Sequence, residues 1–193
     1  MSEFSVLVVC LGNVCRSPLA ERLLRLRLAE LPDGPAGAVG VSSAGIRALV
    51  GAPMDETAAA ELRRLGGDPA GSVSRQLQRA MVEEADLVLT ATRQLRSRLL
   101  EDEPRALKRT FTIREFAALA APEVLGGQRP TTLTELVLRA AASRSAVAVD
   151  GYDVPDPIGR SPEFHREVAD LIDDACTAIA AALAAAGGDD PAG

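Results

Sequence analysis

Apolar side chains run without a break from Val6 to Val9 behind Phe4, and Cys10 closes the run. A short continuous run of this kind predicts a buried strand over Phe4–Val9. Pro18 suits the first turn of a helix, and Leu19, Leu23 and Leu26 then recur at helical spacing, with a stop expected near Pro32-Asp33-Gly34. Val39 to Ser42 reads as a second, weaker strand ending at Ser43-Ala44-Gly45. Asp55 is placed to cap a helix running to the Gly66-Gly67 stop. Ala85 to Leu89 is a third strand, followed by a helix around Arg93 to Leu100, and Thr110 to Ile113 is a fourth strand.

Strands alternating with helices of this length predict an α/β fold, a parallel sheet covered by helices on both faces. Ligands bind such sheets at the carboxyl ends of the strands, near helix N-termini, and Cys10 to Ser17 occupies that kind of place. Farther on, Gly126-Gly127 and Pro130 mark a loop, and Thr131 to Ala142 reads as an extra helix. A long last helix, Pro162 to Ala186, precedes a Gly/Asp/Pro tail. The pattern shows no internal repeat. One domain is expected over 1–187, with 188–193 as a frayed tail.

Composition narrows the class. The 193 residues are 47% hydrophobic and 25% charged, which suits one globular domain with its own core. Aromatics are scarce, so the core should be aliphatic. A net charge of -6 argues against nucleic acid as a partner, and Arg22, Arg25 and Arg27 read as a solvated helix face. No apolar stretch reaches the length of a membrane span, and Met1-Ser2-Glu3 lacks a secretory pattern. Three cysteines do not make a disulfide framework, so the expected setting is a reducing cytoplasm. A single histidine, His165, leaves little room for histidine metal sites or a Ser-His-Asp triad, and it reads as a surface or helix-packing residue rather than a catalytic one. Cys176 reads as core.

The remaining chemistry lies in "CLGNVCRS", Cys10 to Ser17. A thiol attacks as thiolate, which needs local positive potential. Gly12 permits a tight turn whose backbone N–H groups point inward, and the following helix adds its N-terminal partial charge. Arg16 supplies a full charge and a planar fork matched to two phosphate oxygens, and Ser17 can donate to the sulfur. The same concavity binds an oxyanion. It is not the Gly-x-x-x-x-Gly-Lys nucleotide loop, because no lysine ends it.

"VCLGNVCRSPLAE" resembles the signature of the low-molecular-weight protein tyrosine phosphatase family. "SSAG" at 42–45, "SRQL" at 74–77, "EADLVLT" at 84–90 and "PDPIG" at 155–159 follow in the family's order. The stretch 122–148 stands out from the resemblance as an insertion. The resemblance implies a doubly wound fold with a four-stranded parallel sheet and the cysteine phosphate-binding loop after its first strand. It makes Cys10 the nucleophile and Arg16 the clamp in a phosphate-binding run of Leu11, Gly12, Asn13, Val14, Cys15, Arg16 and Ser17. Ser17 is also the donor to the thiolate, and Asn13 and Ser43 support the loop. It implies a phosphoric monoester hydrolase that dephosphorylates phosphotyrosine in a phosphoprotein, or a small aryl phosphate, through a phosphocysteine intermediate. Inorganic phosphate is the product, and neither cofactor nor metal takes part.

Expelling the leaving oxygen needs a proton donor opposite the thiol. Asp150, Asp153 and Asp156 all lie in the late acidic stretch, and Pro157 holds Asp156 extended. The family's Asp-Pro pair selects Asp156. Three positions depart from the family: Leu49 and Ile158-Gly159 stand where aromatics often occur, and Ser72 where some members have histidine. Tyr152 is then the residue placed to restore an aromatic wall. Two rival readings remain, an arsenate reductase of the same fold and a non-catalytic phosphoprotein-binding module. The first needs relay cysteines, and only Cys176 lies beyond the loop. Cys15 reads either as a redox partner for Cys10 or as a small buried residue.

Overall fold

A computed structural model describes residues 4–32, 37–127, 129–145 and 151–187. The elements are β1 (Phe4–Cys10), α1 (Arg16–Glu30), β2 (Val39–Gly45), α2 (Glu56–Arg64), α3 (Arg79–Glu84), β3 (Leu87–Thr90) and α4 (Arg93–Asp102). A 3-10 turn (Pro104–Arg109), β4 (Thr110–Thr112), α5 (Ile113–Leu119), α6 (Leu133–Ala142) and α7 (Pro162–Gly187) complete them. The tail at 188–193 and Asp150 lie outside the described residues.

The four strands pair in parallel in the order β2-β1-β3-β4, the doubly wound sheet the sequence predicts. Strand alternation splits the core. Val6, Val8 and Cys10 of β1 face one layer with Leu23 and Leu24 of α1, Leu62 of α2, Phe116 of α5 and Ile172 of α7. Leu7 and Val9 face the other, with Val82 of α3 and Leu99 of α4. The chain leaves β1 for β2 on one side and reaches β3 on the other. Its carboxyl edge, with Cys10 level with Gly45 and Val9 level with Thr90, is therefore the switch point of the sheet.

Most predicted elements stand where the pattern put them, and the differences have local causes. Ile113 was expected to extend the fourth strand, but Thr112 caps a helix there. Its hydroxyl accepts from the Glu115 amide, and Glu115 accepts from the Thr112 amide, each at 3.1 Å. The α1 arginines are also not a merely solvated face. Arg27 grips Asp173 of α7 at 2.8 Å, and Arg25 donates to the Val41 carbonyl. These contacts join α1 to α7 and to the edge strand β2. The unpredicted helices α3 and α5 are six and seven residues long, too short to show a periodic stripe.

His165 and Cys176 are buried in α7, as expected of packing residues. The Cys176 thiol donates to the Ala20 carbonyl at 3.6 Å, and burial pushes its pKa up. Within 122–148, α6 packs against α5 and α7. Arg144, just past α6, lies over the Phe111 ring at 4.0 Å and pairs with Glu115 at 3.3 Å.

Candidate active site

Cys10 is the last residue of β1, and the chain turns through 11–15 before α1 begins at Arg16. The turn depends on Asn13, whose φ of 54° makes it the one non-glycine residue in the left-handed region among the described residues. Asparagine tolerates that conformation better than most side chains. Here its side chain also fixes the loop. The Arg75 amide donates to Asn13 Oδ1 at 2.7 Å, which settles the orientation of the carboxamide. Nδ2 then donates to both Ser17 Oγ and Ser43 Oγ, each at 2.9 Å.

This network directs protons. Ser43, accepting from Asn13, donates onward to Glu21 Oε2 at 2.6 Å. Ser17, accepting likewise, has its own proton for Cys10 Sγ at 2.9 Å, closer than the Ala44 carbonyl at 3.5 Å. The Asn13 amide also donates to Cys10 Sγ, at 3.3 Å. Two donors thus converge on the sulfur, the arrangement a thiolate requires. Asn13, Ser17 and Ser43 are all buried, so each bond replaces one that water no longer supplies.

A second segment buttresses the loop from outside. Ser74 Oγ donates to the Gly12 carbonyl at 3.0 Å, and Arg75 donates from Nε and Nη2 to the Ser43 carbonyl at 3.2 and 2.9 Å. The roles of Glu21, Ser74 and Arg75 were not read from the sequence. Their partners lie 22 to 62 positions away, so no local spacing could show them. Gly45 packs against the inside of the turn. A Cβ there would stand 2.7 Å from the Leu11 carbonyl oxygen and 3.0 Å from Asn13 N and Cβ. Gly45→Ala is therefore expected to displace the loop, costing about 1–3 kcal/mol of stability and lowering turnover with it. Denaturant midpoints and aryl phosphate kinetics on the same preparation check this. Unchanged values of both would show that the loop yields without strain.

Arg16 lies buried across the mouth. Nη1 donates to the Val154 carbonyl at 3.2 Å, and Nη2 meets Asp156 Oδ2 at 2.5 Å. Its Nε is buried without a hydrogen-bond partner. Among the described residues the amides of Gly12, Val14 and Cys15 likewise donate to no protein acceptor. Buried donors need partners, and an oxyanion at the start of a helix supplies several acceptors at once.

Cys10, Arg16 and Asp156 line one cavity of about 240 Å³, walled by Leu11, Leu49 and Ile158 with Arg47 beside them. Of the competing acids, Asp153 is held by Arg93, accepting from its backbone amide at 2.8 Å. Tyr152, expected to restore an aromatic wall, instead stacks under Arg93 with 5.1 Å from guanidinium carbon to ring centroid, and does not line the cavity. The apolar wall of the cavity is aliphatic. Cys15 is buried against the same cavity, and burial first, then Asp55 and Cys10, pushes its thiol up to about 12. At neutral pH it rests as the protonated thiol.

A four-stranded parallel sheet with a cysteine–arginine phosphate loop at its switch point defines a class of phosphate-handling proteins. The family model described as low molecular weight phosphotyrosine protein phosphatase matches residues 5–140, and the chain belongs to that family. The low molecular weight protein-tyrosine-phosphatase Ptp of Acinetobacter johnsonii is 30% identical over 119 residues, covering 62% of this chain and 78% of that protein. Several other curated relatives are matched over about half of their length. Among solved structures, the tyrosine phosphatase Wzb from Escherichia coli K30 in complex with sulphate aligns with a TM-score of 0.68 at 25% identity, covering 94% of this chain and 98% of that one. The YwlE arginine phosphatase from Geobacillus stearothermophilus aligns with a TM-score of 0.66 at 28% identity, covering 92% and 91%.

Proposed function

We propose that the protein hydrolyses phosphotyrosine in proteins through a phosphocysteine intermediate. The observation that carries this reading is the buried Arg16, which binds Asp156 at 2.5 Å while both line one cavity with Cys10. Residues 10, 16 and 156 thereby meet across the strand ends. In the first step Cys10 Sγ attacks phosphorus and the P–O bond breaks. Asp156 passes its proton to the departing phenolic oxygen. In the second step Asp156, now a carboxylate, takes a proton from water as the water oxygen displaces Cys10, releasing inorganic phosphate. Arg16 and the loop amides from Leu11 to Arg16 stabilise the charge on the transferring group.

The arsenate reductase alternative is not favoured. Its relay needs an accessible thiol beyond the loop, and Cys176 is buried against α1. Residues 1–187 form one domain with 122–148 as an insertion, and neither nucleic acid nor membrane is a partner. Among the described residues no helix is long and apolar enough to cross a membrane. Three free cysteines support a cytoplasmic setting. Cys15 serves as redox partner: once peroxide converts Cys10 to a sulfenic acid, the Cys15 thiol displaces water to form the disulfide. Mass spectrometry after peroxide treatment checks this, and protein lacking a Cys10–Cys15 crosslink would refute it.

The test is hydrolysis of an aryl phosphate and a phosphotyrosyl peptide with chelator present, across pH 4.5–8. Turnover of both is expected. A phosphoarginyl peptide is the control, because one structural relative is named an arginine phosphatase. Faster turnover of that peptide would overturn the phosphotyrosine assignment while leaving the phosphocysteine chemistry intact.

A further inference from the structure

The loop after β2 is stitched to the phosphate loop through backbone alone. Ile46 N donates to the Cys10 carbonyl at 3.1 Å, Arg47 N to Leu11 at 2.9 Å and Leu49 N to Gly12 at 3.0 Å. From the other side Gln76 clamps the same loop, accepting from Ala48 N at 3.1 Å and donating to the Ile46 carbonyl at 2.9 Å. The Arg47 backbone is therefore fixed relative to Cys10, while its side chain projects exposed at the cavity mouth.

The charges around that mouth are accounted for except one. Arg16 pairs with Asp156, Asp55 caps α2, Asp153 pairs with Arg93, and Glu21 is taken by Arg25 and Ser43. Among the described residues the Arg47 guanidinium makes neither a hydrogen bond nor an ion pair. In a chain of net charge -6, this places an uncommitted cation beside the nucleophile. Leu49 and Ile158, 60% and 48% exposed, flank it with aliphatic surface.

We propose that Arg47 is a specificity-determining residue that selects phosphotyrosine flanked by an acidic residue in the substrate chain. The inference rests on the phosphotyrosine reading above and adds the sequence context to it. With the phosphoryl group in the loop and the ring between Leu49 and Ile158, the substrate backbone crosses the rim at Arg47. A neighbouring Asp or Glu carboxylate meets the planar guanidinium fork there. A neighbouring Lys meets a like charge.

The experiment compares kcat/KM for two phosphotyrosyl peptides identical except for Glu or Lys at the residues flanking the phosphotyrosine. The native protein, Arg47→Ala and Arg47→Glu are each measured at low salt and at about 0.5 M salt, where the screening length shrinks to roughly 4 Å. The native protein is expected to prefer the Glu peptide about two- to fivefold at low salt, the range of an exposed ion pair. The preference should fall towards unity in Arg47→Ala, reverse in Arg47→Glu, and shrink at high salt. An unchanged ratio across the three proteins overturns the inference while leaving the phosphatase reading in place. A native protein that hydrolyses neither peptide, nor an aryl phosphate, overturns both.

Discussion

Cys10→Ser is expected to lose turnover of an aryl phosphate by roughly 10⁴–10⁶-fold while retaining phosphate binding within a few-fold. The two halves of this result have different origins. A hydroxyl fits the place of the thiol, and the donors that face it, Ser17 Oγ and the Asn13 amide, remain. The binding groups are likewise untouched, since Arg16 and the amides of Gly12, Val14 and Cys15 belong to other residues. What disappears is the nucleophile. A serine hydroxyl is a weak nucleophile unless a base takes its proton, and among the described residues the hydrogen-bond partners of position 10, Ser17 Oγ and the Asn13 amide, are donors. Stopped assays with a phosphate analogue as competing ligand read both quantities on one preparation. Retained turnover in the serine protein would remove the phosphocysteine from the mechanism.

Asp156→Asn is expected to lower turnover by about 10²–10⁴-fold, the range for a general acid. The loss should depend on the leaving group. An unsubstituted phenyl phosphate, whose phenolate needs protonation, should suffer more than a nitrophenyl ester. Asparagine preserves an oxygen for Arg16 Nη2, which now meets Asp156 Oδ2 at 2.5 Å, so the phosphate clamp keeps its place. Phosphate-analogue binding should accordingly change little. The structure gives the comparison a natural control in Asp153, whose carboxylate is held by Arg93. Equal activity in Asp156→Asn, with loss in Asp153→Asn, would transfer the acid role three residues upstream.

Much of this architecture was legible in the sequence because its signals are local. An apolar run, a cysteine, a glycine and an arginine before an amphipathic helix report the first strand, the loop and α1 from neighbouring positions. Asp55 announced the start of α2, and its carboxylate does accept from the Thr57 and Ala58 amides. Contacts between distant segments left no such trace. The Ser74 hydroxyl and the Arg75 amide reach the loop from 62 positions away, a separation that leaves no local spacing to read. Tyr152 was misplaced because sequence proximity to Asp156 says nothing about which way a loop faces. Helices α3 and α5 fell below the length at which periodicity is readable.

The stitched rim separates what is constant from what is free to vary. Because 46–49 are held to 10–12 by main-chain bonds, no side chain at 47 or 49 takes part in keeping the two loops in register. Those positions can exchange residues without disturbing the geometry around phosphorus. The fold thus offers a fixed reaction centre with an interchangeable collar, and new substrate preferences can be reached by single substitutions that leave the catalytic step intact.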